Sequence, residues 1–575
     1  MTETETPRIG VFVCHCGHNI AGVVDVKKVA EIASNLPNVV FSTDEMFMCA
    51  DAGQQLIRDK IKEHNLTRVV VASCSPRMHE PTFRKVVEEA GMNRYLFEQV
   101  NLREHVSWCH MREPEAATEK AIDLVRMSVA RAGKLEELPI KAVKVTPRTL
   151  VVGGGVAGLR SALDIADRGF EVVLVEKKPK LGGNTIKWSH LYPTGEDGEA
   201  IVGPLVEKVQ KHKNITVHTD SKVSEFDGYI GNFDVTVKTG EDLTKYEIGT
   251  VIVATGFDPF EPAGYYGYGV SNKIMTLAQY EEKKVAGKID FDKIKKIAFI
   301  GCVGSREPGK KGHEHCSRYC CTAVASASAD AKDKVDDIVV LYQDIRTYGK
   351  NHEELHRLAR EKFVIYSKFP EDKKPEIEVK EGRIHINWHD TLSDEELSFE
   401  PDLLILASAM IPPDGIDEIS KMFSLTRSAD GFFNPEHVKL APLTTHTAGV
   451  MIAGAAHSAK TAAESIIDAS GAAAKAVGLM AQGEVEIEST VSYVLPDLCS
   501  ACHTCVTACP YGALEVITEN DKEYAIVTEA KCHGCGTCAA ACPSGAIVMR
   551  HSTDEQIITM VEAYLCPAPE TGGGA

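Results

Sequence analysis

Three kinds of segment are missing from this sequence of 575 residues, and each absence narrows the classes of protein to which it can belong. No stretch approaches the ~18 consecutive apolar residues of a membrane-spanning helix, so we expect no membrane span. No long basic run occurs and the net charge is −19, which argues against binding to nucleic acid or to an anionic membrane surface. The N-terminal residues MTETETPRIG have neither the basic nor the apolar region of a signal peptide, so we expect a cytoplasmic protein.

Cysteine, in contrast, is plentiful. The chain contains 18 cysteines within an otherwise ordinary composition of 44 % hydrophobic and 25 % charged residues. In a long chain without a signal peptide, this many cysteines indicates metal clusters and reduced thiols in a reducing, anoxic compartment, and argues against disulfides. The length leaves room for about three or four domains.

Eight of these cysteines lie in two copies of one pattern near the C-terminus. Each copy reads Cys-x2-Cys-x2-Cys-x3-Cys-Pro, which is the spacing of a ferredoxin that holds two [4Fe–4S] clusters. Structural zinc sites usually show two CxxC pairs separated by a longer loop, so we disfavour zinc. In the ferredoxin pattern the fourth cysteine of each copy crosses to the other cluster. The expected ligands are Cys499, Cys502, Cys505 and Cys542 for the first cluster, and Cys532, Cys535, Cys538 and Cys509 for the second.

The pattern of apolar residues predicts an α/β protein in four parts. Continuous apolar runs predict buried parallel strands at 9–14 and 68–74, with helices at 25–35 and 53–64 between them. The expected parts are an N-terminal α/β iron–sulfur domain (1–140), a dinucleotide-binding region (146–480), a ferredoxin domain (487–550) and a C-terminal tail (551–575) whose last residues, PETGGGA, are expected to be disordered.

The dinucleotide-binding region divides into two units. Its second, degenerate unit is expected at about 290–400, beginning with the strand KKIAFIG (295–301). Strands at 403–410 and 449–456 are expected to return to the first unit, and the alanine-rich run 454–480 predicts a helix that closes it.

A glycine fingerprint opens the first unit, directly after a strand and before a helix. Gly153, Gly155 and Gly158 form G-x-G-x-x-G, which permits a tight turn and the approach of a pyrophosphate to the helix N-terminus. Glu176 ends the next strand, where a carboxylate can bind both ribose hydroxyls of an adenosine. A Rossmann unit that binds NAD, or nothing, is the alternative.

The order of fingerprint, acidic residue, Gly-Gly turn and Ala-Thr-Gly turn resembles the two-dinucleotide-domain flavoprotein disulfide reductases, whose cofactor is FAD. The resemblance implies FAD contacts at the fingerprint, at the strand carrying Glu176, at both turns and at a late Gly-Ala pair. These residues are Gly153, Gly155, Val156, Ala157, Gly158, Glu176, Lys177, Gly182, Gly183, Asn184, Ala254, Thr255, Gly256, Gly454 and Ala455.

The second unit lacks the features of a nicotinamide site. Gly301 and Gly304 leave only G-x-x-G, and no arginine pair follows the next strand. Four cysteines stand there instead, and a helix over 316–332 would place two of them on one face and a third about 100° away. Buried thiols that pack as small hydrophobic groups are the alternative. We interpret Cys302, Cys316, Cys320 and Cys321 as ligands of a cluster where a nicotinamide would otherwise dock.

Five further cysteines lie in the N-terminal domain. Cys14 and Cys16 follow the first strand, and Cys74 ends a neighbouring parallel strand, so these residues converge on one crevice. We expect Cys49, Cys74 and Cys109 to bind a fourth cluster, with Cys16 or Cys14 as the remaining ligand. Structural cysteines with a redox-inert C-x-C are the alternative. Cys566 is left unassigned.

Together these motifs resemble the A subunits of the heterodisulfide reductase family. The segments that carry the resemblance span nearly the whole chain: VFVCHCGHNIAG, VVVASCSPRMHEPTFR, NLREHVSW, VVGGGVAGL, GCVGSR, CSRYCC and the two C-terminal cysteine runs. The resemblance implies a thioredoxin-reductase-like flavoprotein, flanked by an N-terminal cluster domain and a C-terminal two-cluster ferredoxin domain, that carries FAD and four [4Fe–4S] clusters and transfers electrons.

The same resemblance implies partners. They are B and C subunits, an electron-input subunit such as a hydrogenase or formate dehydrogenase, and ferredoxin, in a hetero-oligomer that is dimeric through this chain. Some members of the family perform flavin-based electron bifurcation, in which the two electrons of one donor part to two acceptors.

The sequence departs from the family pattern at three places. No cysteine lies between Cys109 and Cys302, so the ferredoxin that some members insert there is absent. Ser326 stands where members often have a lysine, and Cys109 follows Trp108 instead of preceding it. The first two departures argue against bifurcation. The alternatives are a stand-alone disulfide or sulfur reductase, which the cysteine-free segment NTIKWSHLYPTG disfavours, and an electron-transfer protein linked to a quinone or acyl-CoA reductase.

Overall fold

A computed structural model describes residues 6–307 and 313–565, which form two compact units. The first unit combines the N-terminal part of the chain, up to Lys141, with the C-terminal part, from Glu486 onward. The second unit is Ala142–Val485. The ferredoxin segment therefore shares a unit with the N-terminal domain, although the whole second unit lies between them in the sequence.

The N-terminal domain is built on a four-stranded parallel sheet. Its elements are β1 (Ile9–Cys14), α1 (His18–Ala21), α2 (Val26–Ala33), β2 (Val39–Glu45), α3 (Asp51–Glu63), β3 (Arg68–Ser73), α4 (Pro76–Glu89), β4 (Phe97–Asn101) and α5 (Pro114–Ala132). The strand order is β2-β1-β3-β4. Strands β1 and β3 pair in parallel and are almost wholly buried, as their continuous apolar runs predict.

The flavoprotein-like first part of the second unit follows. Its elements, in chain order, are β5 (Lys141–Lys144), β6 (Arg148–Val152), α6 (Val156–Ala166), β7 (Glu171–Val175), α7 (Gly198–Lys211), β8 (Ile215–His218), β9 (Ser221–Tyr229), β10 (Asn232–Thr239), β11 (Asp242–Ile248) and β12 (Thr250–Val253). Strands β11, β10 and β9 form an antiparallel sheet in that order.

A second parallel sheet lies further along the chain. The elements of this region are β13 (Asp258–Pro259), β14 (Ile274–Thr276), α8 (Leu277–Val285), β15 (Lys296–Val303), α9 (Cys320–Lys332), β16 (Asp337–Tyr342), α10 (His352–Glu361), β17 (Ile365–Lys368), β18 (Glu376–Lys380), β19 (Arg383–Asp390), β20 (Glu395–Phe399), β21 (Leu403–Ser408), β22 (Met410–Ile411) and α11 (Ile416–Met422). The parallel sheet has the order β14-β21-β15-β16-β17.

This order changes the expected boundaries of the degenerate unit. Strand β21 pairs with β15, so the apolar run that begins at Leu403 belongs to the second sheet and does not return to the first. Strand β14 also pairs with β21, which places residues from Ile274 onward in the same unit. An apolar run has the same appearance in either sheet, so its pairing could not be read from the sequence.

The chain then returns to the first sheet with β23 (Val450–Ile452), α12 (Ala462–Gln482) and β24 (Glu484–Ile487). The first sheet is parallel, in the order β23-β12-β6-β7-β8. Helix α12 begins at Ala462, eight residues after the start of the alanine-rich run. Gly454 has a φ of +64°, and Thr461 forms a capping box with Glu464 that starts the helix there.

The ferredoxin segment completes the chain with β25 (Ser492–Val494), α13 (Thr504–Ala508), β26 (Leu514–Glu519), β27 (Lys522–Val527), α14 (Thr537–Ala541), β28 (Ile547–Met549) and α15 (Asp554–Leu565). Strand β25 pairs with β28, and β26 with β27, both antiparallel. Helix α15 packs against α5, so this stretch of the expected tail is helical. The segment PETGGGA, expected to be disordered, lies outside the described residues.

Candidate functional site

The turn between β6 and α6 is shaped for close approach of a phosphate. A Cβ atom at Gly153, whose φ is +113°, would lie 2.3 Å from the Ala254 carbonyl oxygen. A Cβ atom at Gly158 would lie 1.8 Å from the Gly153 carbonyl oxygen, so both positions require glycine. Helix α6 starts after Gly155 without a side-chain cap, which leaves its first amides available to a pyrophosphate.

Glu176 is held at the end of β7 by the same turn. Its Oε2 atom accepts a hydrogen bond from the Gly154 amide at 2.6 Å, and Oε1 accepts one from the Lys178 amide at 2.8 Å. The residue is buried. These bonds fix the carboxylate beside the glycine turn, where an acidic residue binds the ribose of a dinucleotide.

These elements line a cleft of about 1070 Å³, large enough for a dinucleotide. Of the fifteen expected FAD contacts, Gly158, Gly182 and Gly454 do not line the cleft, but they support its walls. Gly182 bridges to Gly155, and a Cβ atom at Gly454 would meet the Ala157 side chain at 2.7 Å. The expected residues that line the cleft are Gly153, Gly155, Val156, Ala157, Glu176, Lys177, Gly183, Asn184, Ala254, Thr255, Gly256 and Ala455.

Sequence reasoning missed half of the cleft. The additional lining residues are Lys178, Thr185, Trp188, Leu191, Tyr192, Phe257, Asp258, Tyr319, Met410, Lys460, Thr461, Ala462 and Ser465. The capping box Thr461-x-x-Glu464 is a sequence signal that could have placed a helix N-terminus at the cleft. The aromatic residues carry no such signal, because they come from separate loops.

Lys460 places a buried cation at this cleft. Its side chain is 6 % exposed. The Nζ atom donates to His457 Nδ1 at 3.2 Å and pairs with Asp468. Burial would raise the pKa of the Asp468 carboxyl, but the bonds from His457 and Lys460 lower it below its usual value. The lysine therefore faces the cleft with a charged partner behind it.

Aromatic residues close the cleft on the side of the cysteines of the second sheet. The Tyr319 hydroxyl donates to the Ser408 carbonyl at 2.9 Å, and the Tyr192 hydroxyl donates to the Tyr319 carbonyl at 3.3 Å. The Trp188 ring stands perpendicular to the Tyr319 ring at 5.9 Å. Tyr319 directly precedes Cys320, so one wall residue of the cleft is covalently joined to the cysteine set.

The structure brings together the four cysteines expected beyond this wall. Cys302 lies in β15 with a φ of +58°, where the pairing with β21 is irregular. Burial above all, together with the neighbouring thiols of Cys321 and Cys316, raises the pKa of Cys302 to about 12. A hydrogen bond between Cys320 and Cys321 raises the pKa of the Cys320 thiol and lowers that of Cys321.

Cys316 lies on a loop, not on a helix as expected. Helix α9 begins only at Cys320. Arg318 has a φ of +62°, which breaks the helix between the two cysteines, and its amide donates to the Cys316 sulfur at 3.4 Å. The four thiols thus come from a strand, a loop and a helix N-terminus, an arrangement that suits a cluster.

The ferredoxin segment forms the expected first ligand set. A small cavity of about 310 Å³ is lined by Cys499, Cys502, Cys505 and Cys542 together. The fourth cysteine therefore does cross from the second run to the first. The Ala525 amide donates to the Cys499 sulfur at 3.4 Å, as backbone amides do around cluster ligands.

The second set has the reciprocal arrangement. Burial raises the pKa of Cys538, and the neighbouring thiols of Cys532 and Cys509 raise it further. Cys535 is exposed, with its sulfur 3.4 Å from the Thr537 hydroxyl. The structure thus places Cys509, from the first run, beside ligands of the second.

The N-terminal cysteines divide differently from the expectation. Burial is the main cause that raises the pKa of Cys74 to about 12; Arg103 opposes the rise, and Cys16, Cys49 and Cys14 add to it. The buried Cys14 sulfur accepts amide hydrogen bonds from Cys16 at 3.3 Å and from Met48 at 3.4 Å. These four cysteines share one crevice at the carboxyl ends of β1 and β3.

Cys109 is placed apart from this group. It is exposed, and its thiol donates to the Glu104 carbonyl at 3.0 Å, after a π-helical turn at Arg103–Ser107. It is not among the principal neighbours that shift the pKa of Cys74. The role of Cys109 as a ligand therefore stays a prediction that the geometry of the other four does not support.

All 17 cysteines in the described part of the chain are free thiols. Within residues 6–307 and 313–565, no three His, Cys, Asp or Glu side chains are arranged to bind a single metal ion. Cys566 lies outside these ranges. No helix among the described residues is long and apolar enough to cross a membrane.

Comparison with known proteins gives two domain families. The family described as pyridine nucleotide-disulphide oxidoreductase matches residues 147–303, and the family described as 4Fe-4S dicluster domain matches residues 498–546. Both matches agree with the flavin-type cleft and with the two cysteine runs. The chain is an oxidoreductase with an α/β flavoprotein fold and a C-terminal two-cluster domain.

Two archaeal relatives are similar over most of the chain. The second of the iron–sulfur A subunits of the CoB–CoM heterodisulfide reductase of Methanopyrus kandleri is 40 % identical, covering 90 % of this chain and 92 % of the relative. The A subunit of the H2:CoB–CoM heterodisulfide,ferredoxin reductase of Methanothermobacter thermautotrophicus is 40 % identical, covering 89 % and 91 %. Among solved structures, the thioredoxin reductase of T. acidophilum is 17 % identical with a TM-score of 0.43, covering 58 % of this chain and 99 % of that protein.

Proposed function

The chain belongs to the family of heterodisulfide reductase A subunits, and we propose that it transfers electrons between FAD, four [4Fe–4S] clusters and the partner subunits of a heterodisulfide-reductase-like complex. FAD would supply exchange of either two electrons or one, whereas a [4Fe–4S] cluster carries one. The residues described above would hold the FAD by its pyrophosphate and ribose, and the thiolates would hold the clusters.

One observation carries this proposal: Tyr319 lines the FAD cleft, and the next residue in the chain, Cys320, belongs to the cysteine set of the second sheet. A cofactor in the cleft and a cluster on these cysteines would share this wall. Trp188 and Tyr192 complete the wall and exclude bulk water from it. The pairing of a flavin cleft with thiols at a degenerate nicotinamide unit favours exchange of single electrons with a cluster.

The proposed partners follow from family membership. They are B and C subunits that carry the terminal acceptor site, an electron-input subunit of the hydrogenase or formate dehydrogenase type, and ferredoxin. We place the complex in the cytoplasm, with this chain forming a dimer at its centre.

Flavin-based electron bifurcation is a second candidate, and one observation favours it. The buried cation of Lys460 faces the cleft, although Ser326 replaces the lysine that members often carry after the Cys-Cys pair. A cation there would stabilise an anionic flavin. Replacement of Lys460 by Met should therefore lower the flavin reduction potential, and an unchanged potential would remove this support.

The proposed function is tested by anaerobic affinity purification of the full chain from its native cells. We expect B-type and C-type subunits to co-purify, and the reduced complex to pass electrons from the flavin to them. A chain that purifies alone and reduces disulfides with NAD(P)H would instead establish the stand-alone reductase. Reduction of a quinone or an acyl-CoA by the purified complex would establish the other alternative.

A further inference from the structure

Arg306 directs part of its guanidinium away from its carboxylate partners. Its Nη2 atom donates to Asp344 Oδ2 at 3.0 Å and to Glu371 Oε1 at 2.9 Å. The side chain is only 11 % exposed. The Nη1 atom is buried and has no nitrogen or oxygen acceptor in the described ranges. A buried donor of this kind calls for an explanation, because leaving it unpaired is costly.

The cysteine set of the second sheet lies beside this guanidinium. Arg306 opposes the rise in the pKa of the buried Cys302 thiol, both by its charge and by a hydrogen bond to the sulfur. Arg306 also lines a solvent-open crevice together with Cys316, Arg346 and Glu371. The arginine therefore contacts the surroundings of two of the four cysteines.

We propose that Arg306 is a positioning residue that donates a hydrogen bond to the Cys302 sulfur and raises the reduction potential of the cluster proposed on Cys302, Cys316, Cys320 and Cys321. The inference rests on the proposed function, since it needs that cluster. Reduction adds one electron to the cluster and no proton, so the cluster becomes more negative by one charge. A guanidinium, which keeps its proton at all relevant pH values, stabilises that added charge, as do hydrogen bonds to ligand sulfurs.

The carboxylates explain how the guanidinium is held, not why its other edge is free. Asp344 follows β16 and is about half exposed, and Glu371 is 71 % exposed. Water screens both of them more than it screens the buried edge of Arg306. The net electrostatic effect on the cysteine side is therefore positive, and it makes the cluster a better acceptor of electrons from the flavin cleft.

The test uses the anaerobically purified full chain with Arg306→Gln and Arg306→Lys variants. Glu371→Gln is the matched control, because it removes a partner of Nη2 and keeps the guanidinium. The signal of this cluster is assigned by its loss in Cys316→Ala. Iron content and the EPR-monitored midpoint potential are then measured for each protein.

We expect Arg306→Gln to keep the wild-type iron content and to shift this midpoint to a more negative potential. Arg306→Lys should give an intermediate shift, and Glu371→Gln almost none. An unchanged midpoint in a fully loaded Arg306→Gln protein would overturn the inference. If that variant loses the iron of this cluster, Arg306→Lys decides, and a wild-type midpoint there overturns the inference as well. Wild-type protein with no signal that Cys316→Ala removes would instead refute the proposed function.

Discussion

The backbone amide of Ser489 donates a hydrogen bond to the Tyr95 hydroxyl at 3.1 Å, although 394 residues separate them in the sequence. The Ser489 hydroxyl also donates to the Pro139 carbonyl at 2.6 Å. These bonds join the start of the ferredoxin segment to the N-terminal domain, inside the first unit. Both segments are expected to carry clusters, so the first unit would hold three of the four.

Arg131 should stabilise this joint more than a surface arginine would. Its Nη1 donates to both oxygens of the Glu98 carboxylate, at 2.6 and 2.7 Å, and its Nη2 donates to the His551 carbonyl. Arg131→Met leaves the buried Glu98 unpaired, so we expect a loss of about 3–5 kcal/mol in the free energy of unfolding of the first unit. Hydrogen exchange of the ferredoxin segment measures it. Lys85→Met, at an exposed position, should cost almost nothing, and equal exchange in the two variants would contradict the role of Arg131.

His551 should make this joint sensitive to acid. Burial lowers the pKa of its imidazole below the ordinary 6.5, although the bond from Nε2 to the Glu136 carbonyl opposes the shift. The folded state thus favours the neutral ring, and the stabilisation is complete above about pH 6.5 and lost as the pH falls through the lowered pKa. Stability of the first unit against urea, measured from pH 7.5 to 5.5, should fall less in His551→Asn. Asparagine is the matched variant because position 551 has a φ of +60°. Parallel pH curves for the two proteins would exclude His551 as the cause.

The cofactor content should distinguish the cluster sites. Anaerobically purified protein should carry one FAD and ~16 iron atoms per chain, because four [4Fe–4S] clusters are expected. Colorimetric iron analysis and flavin release measure both. A content near ~8 iron atoms would mean that only the ferredoxin segment is loaded.

NADH and NADPH should not reduce the isolated chain directly. The fingerprint at Gly301–Gly304 is incomplete, and the cysteine set occupies the end of β15 where a dinucleotide turn would lie. Stopped-flow spectra should therefore show no rapid bleaching of the flavin band without partner subunits. Rapid bleaching would show that this unit binds a nicotinamide after all.

Cys316→Ala should remove one cluster and spare the other cofactors. FAD should remain bound, because its cradle at Gly153–Gly158 belongs to a different sheet, and the eight ferredoxin cysteines are unchanged. Transfer from reduced FAD to an external ferredoxin should slow sharply. Iron analysis, EPR and flavin reoxidation measure the three effects, and wild-type values for all of them would make the segment HCSRYCC structural.

The sequence by itself determined those parts of this protein whose chemistry is local. Ligand spacing of two or three residues defines the ferredoxin runs, and Gly153 and Gly158 are required by contacts within one strand–turn–helix unit. The apolar strands β1 and β3 were predictable for the same reason, since burial on both faces leaves a continuous apolar run.

Tertiary structure alone decided which distant residues meet. Tyr319 and Lys460 reach the FAD cleft from separate segments, and Cys109 is held away from the crevice of Cys14 and Cys74. The docking of the ferredoxin segment on the N-terminal domain depends on many weak contacts between segments far apart in sequence. No short pattern encodes such contacts, because each residue's partner is chosen by the packing of the whole unit and not by its neighbours in the chain.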